Sequence, residues 1–392
     1  MKAKRSDVAE LRCWAEINLS ALRHNLTIIK SMLPAEASFL AVVKANAYGH
    51  CAPVIAKECV KAGARYLAVA CLEEALELRE AGITAPILIF TTCFLNCLKE
   101  VVKEDITLPI SSLSEAEAIS ACWKRLHRTS EGEVPKVKVH FACDSGMARL
   151  GFSLREKDLD SSLAEMEKVA NLPGLELEGI FTHFATACSE DPTYLELQFK
   201  RFQEGITRLE EKGIRFKLRH CANSATFLTR AEMILDMARP GVILYGGRDG
   251  DFMKDFDFRP VMALRARLSF VRALEAGEGI SYGLTYHSEQ PMRVGVLECG
   301  YADGLHRVLS NKAEFSLKGK KIRQVGRICM DRCMVDLSEV PEAKIGDVVT
   351  LFGQAGEDFV DAEEQANLAG SISYELFTSV HSRVPRIFIE EE

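Results

Sequence analysis

The chain is 392 residues long, 47% hydrophobic and 27% charged, and carries a formal net charge of -7. This acidic balance, without any Lys/Arg cluster, argues against a nucleic-acid partner. No uncharged apolar stretch reaches the roughly 18 residues that a membrane span needs, and the charged N-terminus has no apolar signal region. We therefore expect a cytoplasmic protein with no nucleic-acid and no membrane partner.

From about residue 20 to residue 245, short β-rich runs alternate with longer helical patterns. After a helix at 19–33, the predicted strands are 39–43, 66–70, 86–90, 107–110, 137–142, 177–182, 216–220 and 235–238. The segments between them, such as 72–80 and 195–212, carry apolar residues at three- and four-residue spacing, which is typical of amphipathic helices. Eight strand and helix alternations predict an α/β protein with a parallel (β/α)8 TIM barrel. A doubly wound open sheet is the alternative, because periodicity does not reveal whether a sheet closes.

The pattern changes near Gly246. Beyond it, strands follow one another without helices between them, at 264–271, 293–297, 314–317, 322–326 and 348–352. One helix at 362–377 precedes a last strand at 386–389. This tail predicts a mainly antiparallel β-domain. Since a barrel takes about 250 residues, we place the barrel at 14–246 and the β-domain at 247–392, with residues 1–13 associated with the latter.

The thirteen cysteines include no CxxC pair. The closest spacings, Cys93 with Cys97 and Cys329 with Cys333, match no zinc pattern. We expect reduced thiols, several of them buried, and no metal site.

Lys44 follows the apolar run 39–43 and precedes the polar turn 45–50. Its ammonium therefore lies at the C-terminal end of a buried strand, where desolvation lowers the pKa toward neutrality. A lysine in such a place can form a Schiff base. A lysine that only extends from a strand end to solvent is the alternative.

Polar residues follow five of the eight predicted barrel strands, at the end where TIM barrels place their active sites. They are Tyr48 after the first strand, residues 144–149 after the fifth, His183 after the sixth, residues 220–225 after the seventh, and residues 239–242 after the eighth. The hydroxyl of Ser224 and the amides of Gly241 and Val242 are suited to bind a phosphate group. A Schiff-base lysine with a phosphate site predicts pyridoxal 5′-phosphate as cofactor. An aldolase or another phosphosugar enzyme is the alternative on these features.

Further motifs occur in the β-domain. Three of them lie in turns, namely Ser281-Tyr282-Gly283, residues 300–304 and Cys329-Met330-Asp331, and two belong to the tail, residues 372–375 and residues 383–386. Together with residues 41–50 and 220–225, and in this order, they resemble the bacterial-type alanine racemases from about Trp14 to Ile389. The resemblance implies interconversion of L-alanine and D-alanine with pyridoxal 5′-phosphate.

In this resemblance Lys44 and Tyr282 are the catalytic residues. Lys44 would bind the cofactor covalently and then act as one base at Cα, with Tyr282 as the second base on the opposite face. Two bases on opposite faces suit racemisation, because one deprotonates and the other reprotonates. A free phenol has a pKa near 10, so Tyr282 needs a cationic neighbourhood, for which His183 and Arg239 are the expected sources.

The resemblance also implies roles for residues that contact the cofactor or the substrate. Arg239 would contact the pyridine nitrogen, and because a guanidinium does not release its proton it would weaken the electron sink and favour simple proton exchange. The expected cofactor-binding residues are Lys44, Tyr48, Arg149, His183, Asn223, Ser224, Arg239, Gly241, Val242 and Tyr374, with His220 in support. The expected substrate-binding residues are Arg149, Met330 and Tyr301, while Arg307 would support the Tyr282 side.

One position departs from the family. Many relatives carry a lysine, often carbamylated, two residues before the strand-five aspartate, and its negative charge steadies the arginine that matches Arg149. Here that position is Ala142. We expect another anion, either chloride or a nearby carboxylate, to offset Arg149, or else the arginine to be held differently.

The resemblance further implies a head-to-tail homodimer, in which Tyr282, Tyr301 and Met330 complete the partner's site. Three other functions stay open at this point. They are a racemase of the same fold with broader specificity that includes serine, a fold-related decarboxylase of basic amino acids, and a non-catalytic protein that binds the cofactor.

Overall fold

The structure is a computed structural model that describes residue 8 and residues 10–92, 95–130, 132–248 and 250–390. The chain divides into two compact units. We call Ile29–Ala47 with Ala52–Gly241 the barrel unit, and Met1–Ile28, Tyr48–Cys51 and Val242–Glu392 the β unit.

The strands are β1 Cys13–Asn18, β2 Ser38–Val42, β3 Tyr66–Val69, β4 Ile87–Ile89, β5 Ile106–Ile110, β6 Val137–Asp144, β7 Phe152–Ser153, β8 Leu175–Thr182, β9 Leu218–His220, β10 Met237–Ala238, β11 Met262–Leu274, β12 Gly279–Ile280, β13 Tyr286–His287, β14 Met292–Leu297, β15 Glu314–Leu317, β16 Lys320–Val325, β17 Cys333–Asp336, β18 Val348–Ala355, β19 Asp358–Val360 and β20 Arg386–Ile389. The right-handed α-helices are α1 Leu19–Met32, α2 Ala52–Lys61, α3 Leu72–Glu80, α4 Leu98–Lys103, α5 Leu113–Thr129, α6 Leu159–Ala170, α7 Thr193–Glu211, α8 Ser224–Thr229, α9 Ala362–Leu368 and α10 Ser373–Ser379.

The barrel unit is built on a parallel sheet in the order β10-β2-β3-β4-β5-β6-β8-β9. Two backbone hydrogen bonds join its two ends, from Asp236 N to Arg219 O at 3.1 Å and from Arg239 N to Ala222 O at 2.9 Å. The sheet is therefore a closed barrel, as predicted, and the open-sheet alternative is wrong. Because all its strands run in one direction, the residues that follow them meet at one mouth.

The barrel strands are largely apolar on both faces, because helices cover the outer face and side chains from the other strands fill the interior. Every residue of β3, β4 and β5 is buried. The helices between them bury one apolar stripe each, as in α6, where Leu163 and Met166 are buried. This pattern is why the predicted and observed barrel strands agree to within two residues at most ends.

The β unit contains a mainly antiparallel sheet in the order β19-β18-β15-β16-β17-β14-β11-β1-β20. The long strand β11 also pairs with β18, so β11, β14, β17, β16, β15 and β18 form a closed ring. The N-terminal strand β1 joins this sheet antiparallel to β11 and parallel to β20.

The helix predicted at 362–377 is wrong as a single element. The structure has two helices there, α9 and α10, separated by a turn in which Gly370 has φ 70°. A right-handed helix cannot pass through a residue in that conformation.

The described cysteines form no disulfide with one another, and Cys93 lies outside the described residues. Residues 1–7 and 9 of the N-terminal segment also lie outside them. Within the described part of the chain, no helix is long and apolar enough to cross a membrane. Nor does any cluster of His, Cys, Asp and Glu among those residues form a metal site.

Candidate active site

Lys44 begins a left-handed turn at the mouth of the barrel unit. Residues Ala45, Asn46, Ala47 and Tyr48 all have φ between 52° and 54°, and Ala47 N donates to Val43 O at 2.9 Å. Each L-residue in this conformation costs about 1–2 kcal/mol. Such strain persists only where the surroundings hold it, and it is concentrated at functional sites.

The amine of Lys44 is largely removed from solvent. Burial lowers its pKa, the positive charge of Arg149 lowers it further, and the carboxylate of Glu74 acts in the opposite direction. This is the direction that the sequence predicts, and it enlarges the fraction of neutral amine, which is the nucleophilic and basic form.

Arg239 lies directly after β10 and is only 4% exposed. Its Nη1 donates to His220 O at 2.6 Å, and its Nη2 donates to Thr182 O at 2.8 Å and to Cys221 O at 3.0 Å. Burial lowers its pKa to about 10, so the guanidinium stays charged at neutral pH. Among the described residues no carboxylate pairs with it, and carbonyl oxygens hold it in place.

A polar chain runs from Arg239 into the barrel interior. Nη1 of Arg239 lies 3.2 Å from His220 Nδ1, and His220 Nε2 lies 2.9 Å from His140 Nδ1. His140 Nε2 faces Glu178 Oε2 at 3.5 Å, and the hydroxyl of Tyr66 donates to the same oxygen. The His140 contact, followed by the Tyr66 bond, lowers the pKa of Glu178 to about 2 against the opposing effect of burial.

The chemistry of Arg239 determines the tautomers of His220 and His140 in this row of side chains. A guanidinium only donates, so Nδ1 of His220 must accept and its proton must sit on Nε2. That proton is donated to His140 Nδ1, which leaves the His140 proton on Nε2, directed at the Glu178 carboxylate. Burial, reinforced by Arg239, keeps the pKa of His220 well below its ordinary value, and burial also lowers that of His140. Both rings are therefore neutral, as this assignment requires.

His183 follows β8, and its Nδ1 lies 3.3 Å from Nη2 of Arg239. Burial, followed by the charges of Arg239, Arg149 and Lys44, lowers its pKa to about 3. His183 is thus neutral near pH 7. The expectation that His183 supplies positive charge to Tyr282 is wrong, because the surrounding cations and burial both favour the uncharged ring.

The turns after β9 and β10 meet, as expected. Gly241 N donates to Ser224 Oγ at 2.9 Å, and Asn223 Oδ1 accepts from Thr226 N at 3.0 Å and caps α8. The Ser224 hydroxyl accepts from the Gly241 amide and keeps its own proton for another acceptor. Asn223 is used as a helix cap in this arrangement.

Arg149 is exposed on the turn after β6. The nearest acidic candidate in sequence, Asp144, is already engaged, because its Oδ1 accepts from Gly146 N and Ala148 N and its Oδ2 lies 3.4 Å from Arg155 Nη2. No carboxylate of the described residues forms an ion pair with Arg149. The expectation of a nearby carboxylate partner is therefore wrong. A bound ion such as chloride, or an Arg149 that is held differently, remains as the expectation.

Three predicted cofactor-binding residues belong to the β unit. The ring of Tyr48 lies 5.6 Å from that of Tyr374 and 4.8 Å from that of Tyr245, between centroids. Val242 begins the 3-10 turn that contains Tyr245, and its carbonyl accepts from Gly247 N at 3.1 Å. The β unit thus brings the two tyrosines that are expected to bind the cofactor together.

Tyr282, Tyr301 and Met330 form an exposed patch on the β unit, which we call the Tyr282 patch. They are 69%, 42% and 53% exposed. The loop at Cys329 links them, since Cys329 O accepts from Tyr301 N at 3.0 Å and Cys329 Sγ lies 3.5 Å from Ser281 Oγ.

A guanidinium beside the Tyr282 turn belongs to Arg327, and the support expected from Arg307 stays a prediction. A Cβ on Gly283 would lie 3.2 Å from Arg327 Nη1, and Ser281 Oγ donates to Arg327 O at 2.6 Å. Sequence reasoning missed Arg327 because nothing in its local pattern relates it to a turn far earlier in the chain.

Sequence reasoning also missed Glu74, His140 and Glu178. A histidine between the apolar residues Val139 and Phe141 of β6 was the available signal for His140, since a buried imidazole requires partners. Glu178 and Glu74 have no such signal, because acidic residues on strand edges and in the first turn of a helix are common.

Two family models match the chain. The model of the N-terminal domain of alanine racemase matches residues 17–249, and that of its C-terminal domain matches residues 261–388. The chain belongs to the alanine racemase family. The family uses pyridoxal 5′-phosphate as its cofactor.

Individual family members are similar over almost their whole length. The alanine racemase of Desulfovibrio desulfuricans is 46% identical over 378 residues, which cover 96% of this chain and 98% of that protein. That of Desulforamulus reducens is 43% identical with the same coverage.

Solved structures of the family agree with the fold. The alanine racemase of Clostridium difficile has a TM-score of 0.90 at 37% identity and covers 97% of this chain and 96% of its own. The alanine racemase of Bacillus anthracis with bound L-Ala-P has a TM-score of 0.87 at 36% identity, over 96% and 95% of the two chains.

Proposed function

We propose that this chain interconverts L-alanine and D-alanine with pyridoxal 5′-phosphate, using Lys44 and Tyr282 as its two bases. The observation that carries the proposal is Lys44 itself, a lysine with a lowered pKa on a strained turn at the mouth of a closed barrel, in a chain of the alanine racemase family.

The residues at the barrel mouth fit an anionic cofactor. Arg149 lies close enough to Lys44 and to Arg239 for its charge to lower the pKa of both. Among the described residues neither arginine has a carboxylate partner. Positive charges without partners favour a ligand that carries phosphate. Ser224 keeps a hydroxyl donor for such a group.

When bound, the cofactor supplies an electron sink that acidifies Cα of the amino acid. The neutral amine of Lys44 accepts the Cα proton from one face, and Tyr282 supplies a proton from the other face, which inverts the centre. In the reverse direction the two residues exchange roles.

Arg239 would bind the pyridine nitrogen through Nε–H, because the observed hydrogen bonds of the guanidinium use Nη1 and Nη2. Its permanent charge allows it to donate a hydrogen bond without transferring the proton. Arg149 and the amide of Met330 would bind the substrate carboxylate.

We infer a homodimer in which the Tyr282 patch of each chain completes the site of its partner. The exposure of Tyr282, Tyr301 and Met330 supports this, since a base of high reactivity needs a desolvated site and contiguous exposed apolar residues mark interfaces. A cytoplasmic location stays a prediction from the sequence.

Borohydride reduction tests the proposal. The purified protein with bound cofactor is reduced, digested and mapped by mass spectrometry, with Lys44→Ala treated in parallel as the control. We expect a phosphopyridoxyl adduct on Lys44 and its loss in the variant, together with loss of optical activity from L-alanine by the unmodified protein only. An adduct on another lysine would contradict the assignment.

A further inference from the structure

The carboxylate of Glu74 connects the Lys44 turn to the neighbouring strand. Its Oε1 accepts from Ala45 N at 2.6 Å and its Oε2 accepts from Ala70 N at 2.7 Å. Ala45 is the residue after Lys44, and Ala70 is the residue after β3. Glu74 itself lies in the first turn of α3, so one side chain fixes the ends of two adjacent barrel strands.

These two amides need an acceptor because the sheet ladder ends beside them. Val43 N still donates to Ala68 O at 2.8 Å, but at Lys44 the chain leaves the strand for its left-handed turn. Each amide donates to a different oxygen of the Glu74 side chain. A carboxylate has two accepting oxygens, whereas a carboxamide has one and presents an NH2 donor in place of the other. The observed pair of contacts, one amide on each oxygen, therefore fits an ionised glutamate.

The second end of the turn is also held. Asn46 Oδ1 accepts from Ala52 N at 2.8 Å, at the start of α2. Asn46 anchors the turn to the helix that follows it, while Glu74 anchors its beginning, next to the lysine.

We propose that Glu74 is a positioning residue for Lys44, which holds its backbone at the barrel mouth and provides a negative charge next to its amine. This inference rests on the proposed function of Lys44. Glu74 does not touch the reacting atoms in this proposal and acts through the turn.

The charge of Glu74 has a separate, measurable consequence. It raises the pKa of Lys44 against burial and Arg149. Removing that charge lowers the pKa of the ammonium, so the neutral amine persists to lower pH.

Covalent capture of the cofactor by the apoprotein measures both effects. The neutral amine of Lys44 adds to the aldehyde carbon of pyridoxal 5′-phosphate, and water leaves. The rate constant is followed by absorbance as a function of pH, and each product is reduced with borohydride and mapped. The wild-type protein, Glu74→Gln, Glu74→Asp and Glu77→Gln are compared, the last altering an exposed glutamate one turn further along α3.

We expect Glu74→Gln to capture the cofactor on the order of 10-fold more slowly at its optimum, with the midpoint of the pH profile moved to lower pH. Glu74→Asp keeps the charge but is one methylene too short to reach both amides, so it should be slow with an unmoved midpoint. Glu77→Gln should match the wild type in both.

Equal rates and midpoints in Glu74→Gln and Glu77→Gln overturn the proposal. A slow Glu74→Gln with an unmoved midpoint also overturns it, because that is the result of a merely structural role. Melting curves check that each variant is folded. If Glu74→Gln does not fold, Glu74→Asp tests the positioning effect in its place. A wild-type protein without an adduct on Lys44 refutes the proposed function instead.

Discussion

At the scale of single residues, the barrel unit contains a set of titratable groups whose protonation states depend on one another. Arg239 fixes the tautomer of His220, which fixes that of His140, which points at Glu178. The sequence predicted positions for Arg239 and His220 from where their strands end. The remaining members follow only from distances inside the barrel, because residues on different strands have no relation in the linear pattern.

The buried, neutral state of His140 makes the stability of the protein depend on pH. Its pKa is lowered in the folded protein, whereas an unfolded histidine titrates near 6.5. Below about pH 6.5 the unfolded state therefore binds a proton that the folded state does not, and stability is lost as the pH falls. One such group contributes up to about 1.4 kcal/mol per pH unit.

We accordingly expect His140→Asn to show a smaller loss of stability between pH 6.5 and 5.5 than the wild-type protein, by up to about 1.4 kcal/mol. Urea unfolding followed by circular dichroism measures this. The exposed His127 provides the control, and His127→Asn should keep the wild-type slope. An unchanged slope in His140→Asn contradicts a neutral buried histidine.

At the scale of elements, parallel strands were the easiest to predict and turns the hardest. Strands such as β3 and β4 are continuous apolar runs, and short runs of this kind between polar turns are typical of buried parallel strands. The left-handed turn after Lys44 had no such signal, since it consists of residues other than glycine that local propensity assigns to other conformations. The helix predicted at 362–377 failed because Gly370 lies inside an otherwise helical pattern.

Gly151 ends the loop that carries Arg149. Comparing it with Gly63 separates the free-energy cost of a left-handed backbone conformation from the cost of a steric clash. Gly151 has φ +111°, and a Cβ there would lie 2.6 Å from Ala142 O, whereas Gly63 has φ +98° with nothing within 4 Å. Gly63→Ala should therefore lower the free energy of unfolding by roughly 1 kcal/mol, which is the cost of an L-residue in this backbone conformation. Gly151→Ala should cost roughly 2–4 kcal/mol, because the backbone must also move.

Urea unfolding of the two glycine variants at one pH measures this difference. Cofactor affinity, followed by fluorescence, should fall only for Gly151→Ala, since only that loop leads to Arg149. Equal losses of stability in the two variants would contradict this prediction, because they would mean that the loop at Gly151 moves away from Ala142 without a cost in free energy.

At the scale of the whole molecule, the proposed site needs residues from both units. Lys44, Arg149 and Arg239 belong to the barrel unit, while Tyr282, Tyr301 and Met330 belong to the β unit. If the site combines one chain's barrel with its partner's Tyr282 patch, two variants that are each inactive can regain racemase activity when they form a mixed dimer.

Subunit complementation tests the proposed dimer. Lys44→Ala and Tyr282→Phe are each expected to lose most racemase activity. Mixed in equal amounts and allowed to exchange subunits, they form heterodimers in which one site has both intact residues. Random exchange should restore about 25% of wild-type activity, because half of the dimers are mixed and each contains one active site of two. No recovery, with exchange verified by mass, contradicts a shared site.

The sequence by itself determined the fold class, the family and the position of the lysine at a strand end, because each depends on local patterns or on ordered motifs. The closure of the barrel, the neutral state of His183, the engagement of Asp144 away from Arg149 and the carboxylate of Glu74 on the Lys44 turn were decided by the tertiary structure. The physical reason is the same for all four. Hydrogen bonds and desolvation act between residues that are distant in the chain, and their effects on pKa and conformation depend on distances that only the folded molecule defines.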